Sequence, residues 1–168
     1  MSFDGDELAG TVDPFGALSR AELREAAREV AFRRGDDLDD AALAAAVDDA
    51  VAAYRLVVCP PEAVPARGVG DDDGDGADLL AVGPTAFPEP PEGAEDLPHI
   101  LGLDRRSVDR ERLGRAVVER LRGQAARAVD RGEHERVRRL LDVSYDVEAW
   151  APVDVSDVRE RFDSALEE

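Results

Sequence analysis

Gly16-Ala17-Leu18-Ser19-Arg20-Ala21-Glu22-Leu23 is the stretch from which the rest of the chain can be placed. Ser19-x-x-Glu22 has the spacing of a capping box, in which the hydroxyl accepts from the third helical amide and the carboxylate accepts from the amide of Ser19. Leu18 before the cap and Leu23 at the fourth helical position are placed for a hydrophobic staple. The apolar stripe continues through Ala26, Ala27, Val30 and Ala31 at helical spacing, and Gly35 marks the stop. Upstream, Asp4 to Asp13 reads as a first helix, capped by Asp4, with Leu8, Val12 and Phe15 at i, i+4 and i+7. Pro14 ends it, because its ring removes a donor and disfavours helix at the preceding residue. Gly16-Ala17-Leu18 is then expected to be a tight connection.

Downstream, Asp39 or Asp40 caps a third helix with Leu43, Val47, Ala50, Val51 and Tyr54 on one face. Leu56-Val57-Val58-Cys59 is short and β-branched and is closed by Pro60-Pro61. Leu79-Leu80-Ala81-Val82 ends at Gly83-Pro84, and the two runs are expected to pair as a hairpin. The Asp71–Gly76 tip of the intervening loop is too polar to pack. Residues 84–104 read as a proline-rich connector whose Leu97, Ile100, Leu101 and Leu103 lie along a surface. Residues 105–168 read as helical: Leu113, Val117, Leu121, Gln124 and Ala128 share one face, Arg131-Gly132 breaks it, and Val137, Leu140 and Leu141 carry the next helix. After Pro152, Val155, Val158, Phe162, Ala165 and Leu166 make a short last helix, and Tyr145 and Trp150 are expected to close this core. The fold class is therefore mainly α: a three-helix unit with a small β-hairpin over 1–83, the connector, then a helical hairpin with a final helix.

Charge is the strongest compositional signal. The chain holds 39 Asp and Glu against 21 basic residues, all of them Arg, for a net charge of −18. An acidic, lysine-free, Ala- and Val-rich composition suits a salt-adapted cytoplasm, where carboxylates hold hydration and the Debye length falls to about 3 Å at 1 M. No apolar run reaches the roughly 18 residues of a membrane span, and the N-terminus lacks the pattern of a signal peptide. A cytoplasmic location without membrane partners is the expectation. The charge is uneven: residues 1–104 carry 7 Arg and 24 acids, whereas Arg105–Arg139 holds 12 Arg against 6 acids. General acidity does not explain that basic stretch.

The order helix, tight turn, capped helix, turn, helix, hairpin resembles a winged helix, with Gly16–Leu23 as the joint between its first two helices. Asp6-Glu7-Leu8-Ala9-Gly10, the Gly16–Leu23 joint, Ala94-Glu95-Asp96-Leu97-Pro98-His99-Ile100-Leu101 and Leu140-Leu141-Asp142-Val143-Ser144-Tyr145-Asp146 also resemble an uncharacterised family of haloarchaeal proteins, a domain of unknown function. That family resemblance implies no activity. A DNA-reading winged helix carries Arg, Lys, Asn or Gln on the outer face of its third helix. Here that face offers Asp40, Ala41, Ala44, Ala45, Asp48 and Asp49, so its usual DNA surface reads as retired and a protein-docking role fits it better.

Catalytic, cofactor and metal constellations are not legible. Asp71-x-Asp73-x-Asp75-Gly76 opens like a calcium loop, but Val82 stands where a bidentate Glu belongs. Gly68-x-Gly70 is followed by carboxylates that would repel a pyrophosphate. The single Cys59 reads as a small buried residue, His99 as an interface or capping residue and His134 as solvated. Two surfaces remain. Asp40, Asp48 and Asp49 form a candidate acidic docking face. Arg112, Arg115, Arg120, Arg122 and Arg127 form a candidate interaction face, with expected local pairs Glu111–Arg115 and Arg115–Glu119. The expected function is a non-enzymatic interaction or regulatory module without cofactor, whose partner is protein, either its own acidic half or another chain. The alternatives are a DNA-associated transcriptional regulator acting through the arginine-rich helix and, third, an enzyme of unknown class.

Overall fold

A computed structural model describes residues 2–64 and 78–167. Two compact units are present, one running to Asp109 and the other starting at Arg110. The calcium-like and glycine-rich stretches at 68–76 lie outside the described residues.

In the first unit α1 spans Gly5–Val12, with the Asp4 carboxylate accepting from the Glu7 amide, and a 3-10 turn over Asp13–Phe15 carries Pro14 in its first turn. The helix α2 spans Arg20–Arg34 with both hydrogen bonds of the capping box in place: Ser19 N donates to Glu22 Oε1 at 2.8 Å and Glu22 N donates to Ser19 Oγ at 3.1 Å. Asp39 caps α3, Asp40–Ala52, through the amides of Ala41 and Ala42. Leu8, Val12, Phe15, Leu18, Leu23, Val30, Leu43 and Val47 share one buried core. Each helix contributes the stripe that its spacing prescribes.

The hairpin forms from β2, Leu56–Cys59, and β3, Leu79–Val82, in register Leu56↔Val82 to Cys59↔Leu79. One element departs from expectation. Ala17–Ser19 is a strand, β1, not a simple connection, and it pairs antiparallel with β3 through Leu18↔Leu80. The sheet order is therefore β1-β3-β2. All three β1 residues are buried, so they have no alternating pattern to announce a strand.

Gly83 to Asp109 is bound closely to this unit. The amide of Glu89 donates to Asp6 O, and Leu97 is fully buried within the core at the start of α4, Leu97–Leu101, a helix that the proline content concealed. Gly10 of α1 faces the backbone here. A Cβ at that position would lie 2.3 Å from the carbonyl oxygen of Glu89, closer than any side chain can approach.

The second unit consists of α5 (Arg110–Asp130), α6 (His134–Trp150) and α7 (Ser156–Glu167), each packed on the other two. Gly132, with φ of 66°, makes the expected break between α5 and α6. Leu113, Val117, Leu121, Val137, Val147 and Phe162 fill its core. Tyr145 does not close that core. It is 56% exposed, and the Arg159 guanidinium stands 4.9 Å from its ring centre. Trp150 is half-buried beneath the guanidinium of Arg110, at 4.6 Å.

Candidate interaction surfaces

The joint that starts α2 also holds the most enclosed ion pair among those resolved in the first unit. Arg106 donates from its two terminal nitrogens to Glu22 Oε1 and Oε2, at 2.8 and 3.0 Å, and to the carbonyl of Ala17 at 3.0 Å. The two side chains are only 9% and 12% exposed. Burial pushes the Glu22 carboxyl up, but the Arg106 fork and the Ser19 amide outweigh it and hold the group below its ordinary value. Arg106 reaches this site because its own amide donates to Phe15 O beside Gly16. A Cβ on Gly16, whose φ is 76°, would lie 2.0 Å from the carbonyl oxygen of Arg106. Nothing in the sequence near Arg106 points to Glu22, 84 residues away.

The predicted acidic face does not consist of bare carboxylates. Arg20 pairs with Asp48 at 2.9 Å and Arg28 pairs with Asp40 at 2.7 Å, both across the space between α2 and α3. Asp49 is exposed. Such exposed pairs contribute about 0–1 kcal/mol each, so their role here is to set the charge pattern. Between them lies a groove of about 210 Å³ lined by Arg20, Arg24, Asp40, Leu43, Ala44 and Val47.

The five arginines of α5 divide into two groups. Arg115 pairs with Glu111 as expected, but Glu119 pairs with Arg122 and not with Arg115. Arg122 also reaches Asp157 on α7, with Nε donating to Oδ2 at 3.0 Å. The hydrogen bonds that Arg122 donates to Asp157 and then to Glu119 raise its pKa above the usual value, and the Arg122 fork lowers that of Asp157. Arg112 and Arg127 are exposed and Arg120 is half-buried. Arg115 and Arg122 border a second hollow, of about 470 Å³, with Val118, Glu119, Val153 and Asp154. Elsewhere in this unit Arg159 forks onto Glu148 at 2.5 and 2.8 Å, and that contact lowers the Glu148 pKa.

The remaining candidates are not brought together. Cys59 is buried at the end of β2, His99 is exposed on α4, and His134 is exposed at the start of α6. Among the described residues no group of three or more His, Cys, Asp or Glu side chains could hold a metal ion, and no helix is long and apolar enough to cross a membrane.

No curated protein and no solved structure matches the chain. A family model does, over residues 6–167, and this span takes in both compact units. The chain therefore belongs to a family of unknown function (DUF7109).

Proposed function

We propose that this protein is a non-enzymatic interaction or regulatory module of a salt-adapted cytoplasm, whose winged-helix-like first unit presents its α2–α3 face to a protein partner. The comparison with a winged helix is supported by the order α1-β1-α2-α3-β2-β3 and by a sheet in which β3 lies between β1 and β2. One observation carries the reading: the exposed residues of α3 are Asp40, Ala41, Ala42, Ala44, Ala45, Asp48, Asp49 and Ala52, with no cation anywhere in the helix. A helix seated in a DNA groove gains affinity by replacing counterions with its own cations, and carboxylates at that place repel phosphate. The alanines instead offer a low, smooth surface on which another protein's side chains can pack.

The excess of Arg over Arg105–Arg139 favours a second reading, a DNA-associated regulator that acts through α5. It ranks lower because Arg115 and Arg122 already have carboxylate partners. The docking reading is tested by affinity capture from cell extract in concentrated KCl. Proteins retained by the wild type should be lost with the double variant Ala41→Trp/Ala45→Trp, which puts bulk on the exposed alanines of α3 without changing its charge, provided that its circular dichroism is unchanged. Retention of the same proteins by the folded variant would remove the α2–α3 face from consideration.

A further inference from the structure

Two rungs of an ion-pair ladder cross the space between α2 and α3. Arg28 meets Asp40 and Arg20 meets Asp48, so the partners run in opposite directions along the two helices. Arg24 lies midway between Arg20 and Arg28 on α2, and the position midway between Asp40 and Asp48 on α3 is Ala44. The middle rung therefore has a cation and no carboxylate. Helical spacing gives Arg24 no acid on its own helix either, since its neighbours at three and four residues are Ala21, Ala27, Arg20 and Arg28. Arg20 and Arg28 add repulsion and are themselves held by aspartates. Among the described residues, Arg24 has no ion pair.

The gap has a floor. Arg24 and Ala44 both line the 210 Å³ groove, with Leu43 and Val47 beside them and Arg20 and Asp40 completing its wall. Leu43 and Val47 each keep about 5% of their surface in contact with solvent. The groove thus joins one uncompensated guanidinium to an apolar strip.

The geometry points to a docking site for an acidic, apolar segment of a partner protein, in which an Asp or Glu side chain supplies the missing middle rung to Arg24 and a neighbouring apolar side chain covers Leu43, Ala44 and Val47. This rests on the docking reading of the α2–α3 face and gives it a partner chemistry. Charge complementarity selects the occupant. A basic segment would bring a third cation-facing-cation contact to Arg20, Arg24 and Arg28, whereas a carboxylate meets a planar fork suited to two hydrogen bonds. The site also discriminates within an acidic proteome, because the surrounding Asp40, Asp48 and Asp49 repel any carboxylate that is not in register with Arg24.

The test is an NMR titration of the full chain, folded in KCl, with three blocked peptides that alternate Leu with Glu, Gln or Lys. The Glu-Leu peptide should shift the amide resonances of Arg24, Leu43, Ala44 and Val47, and the Gln-Leu peptide should bind roughly tenfold more weakly. Arg24→Ala should remove the difference between the Glu and Gln peptides while leaving the spectrum of the free protein essentially intact. Ala44→Asp should supply the rung from within the chain and abolish Glu-Leu binding. Glu-Leu binding that is unaffected by both substitutions overturns the proposal, as does absence of binding at these residues. Preferential binding of the Lys-Leu peptide to the same resonances also overturns it but leaves the docking reading standing. A concentration-dependent dimer that Ala44→Asp dissolves, seen by sedimentation, would assign the groove to a second copy and overturn the partner proposed here.

Discussion

Removing the charge of Glu22 leaves the Arg106 guanidinium without its carboxylate in a site only 9% exposed, and that loss costs more than the net worth of the pair. Glu22→Gln is the informative substitution, because its amide oxygen can still accept from Ser19 N and the capping box survives. It should destabilise the first unit at neutral pH by about 3 kcal/mol, measured by chemical denaturation. The pH dependence follows from the direction of the Glu22 shift. The folded carboxyl titrates below its ordinary value of 4.5, so its stabilisation is complete above that pH and is lost as pH falls through the folded pKa. The wild type and the variant should therefore converge in stability as pH drops below 4.5. A gap that stays constant down to the acid transition would mean that the ionised pair is not the source of the effect.

At the scale of the element, α5 decides whether the arginine-rich stretch can serve as a nucleic-acid surface. Each phosphate neutralised on duplex DNA adds about 0.9 to the slope of log K against log salt. Arg115 and Arg122 are held by Glu111, Glu119 and Asp157, and those pairs must break before either arginine meets phosphate. Binding of duplex DNA through this face without Arg115 and Arg122 should show a slope no steeper than about −3, and Arg115→Ala/Arg122→Ala should leave that slope unchanged. A slope near −4.5 that the double substitution flattens would promote the DNA reading over the docking one. The helices themselves were legible because their signals are local: Ser19 and Glu22 are three residues apart, and the stripes of α2, α3 and α5 repeat within a few turns. The strand Ala17–Ser19 was not, because what makes it a strand is β3, more than sixty residues later. Arg106 likewise reads as one more arginine until folding places it over Glu22. The α3 carboxylates were visible in the sequence, but their α2 partners and the gap at Ala44 required the two helices to be set side by side.

For the whole molecule the argument concerns charge. Residues 1–109 hold 9 Arg against 25 Asp and Glu, a net of −16, whereas residues 110–168 hold 12 Arg against 14 acids, a net of −2. Added salt acts in two opposing ways: it screens self-repulsion, which stabilises, and it screens exposed ion pairs, which destabilises. In the first unit repulsion among the carboxylates dominates, and its most enclosed resolved pair, Arg106–Glu22, is too sheltered to be screened effectively. In the second, exposed contacts such as Arg115–Glu111 and Arg122–Asp157 oppose a small net charge, and the two effects nearly cancel. Raising KCl from about 0.05 M to about 0.5 M should therefore stabilise the first unit by on the order of 2 kcal/mol, or roughly 8–16 °C in Tm, and the second by much less. Trp150 is the sole tryptophan and lies in α6, so its fluorescence follows the second unit, while hydrogen exchange at the amides of α1 and α2 follows the first. Equal salt responses from both reporters would show that the units unfold as one cooperative body or that the uneven charge carries no energetic weight, and midpoints measured on residues 110–168 alone would separate those two outcomes.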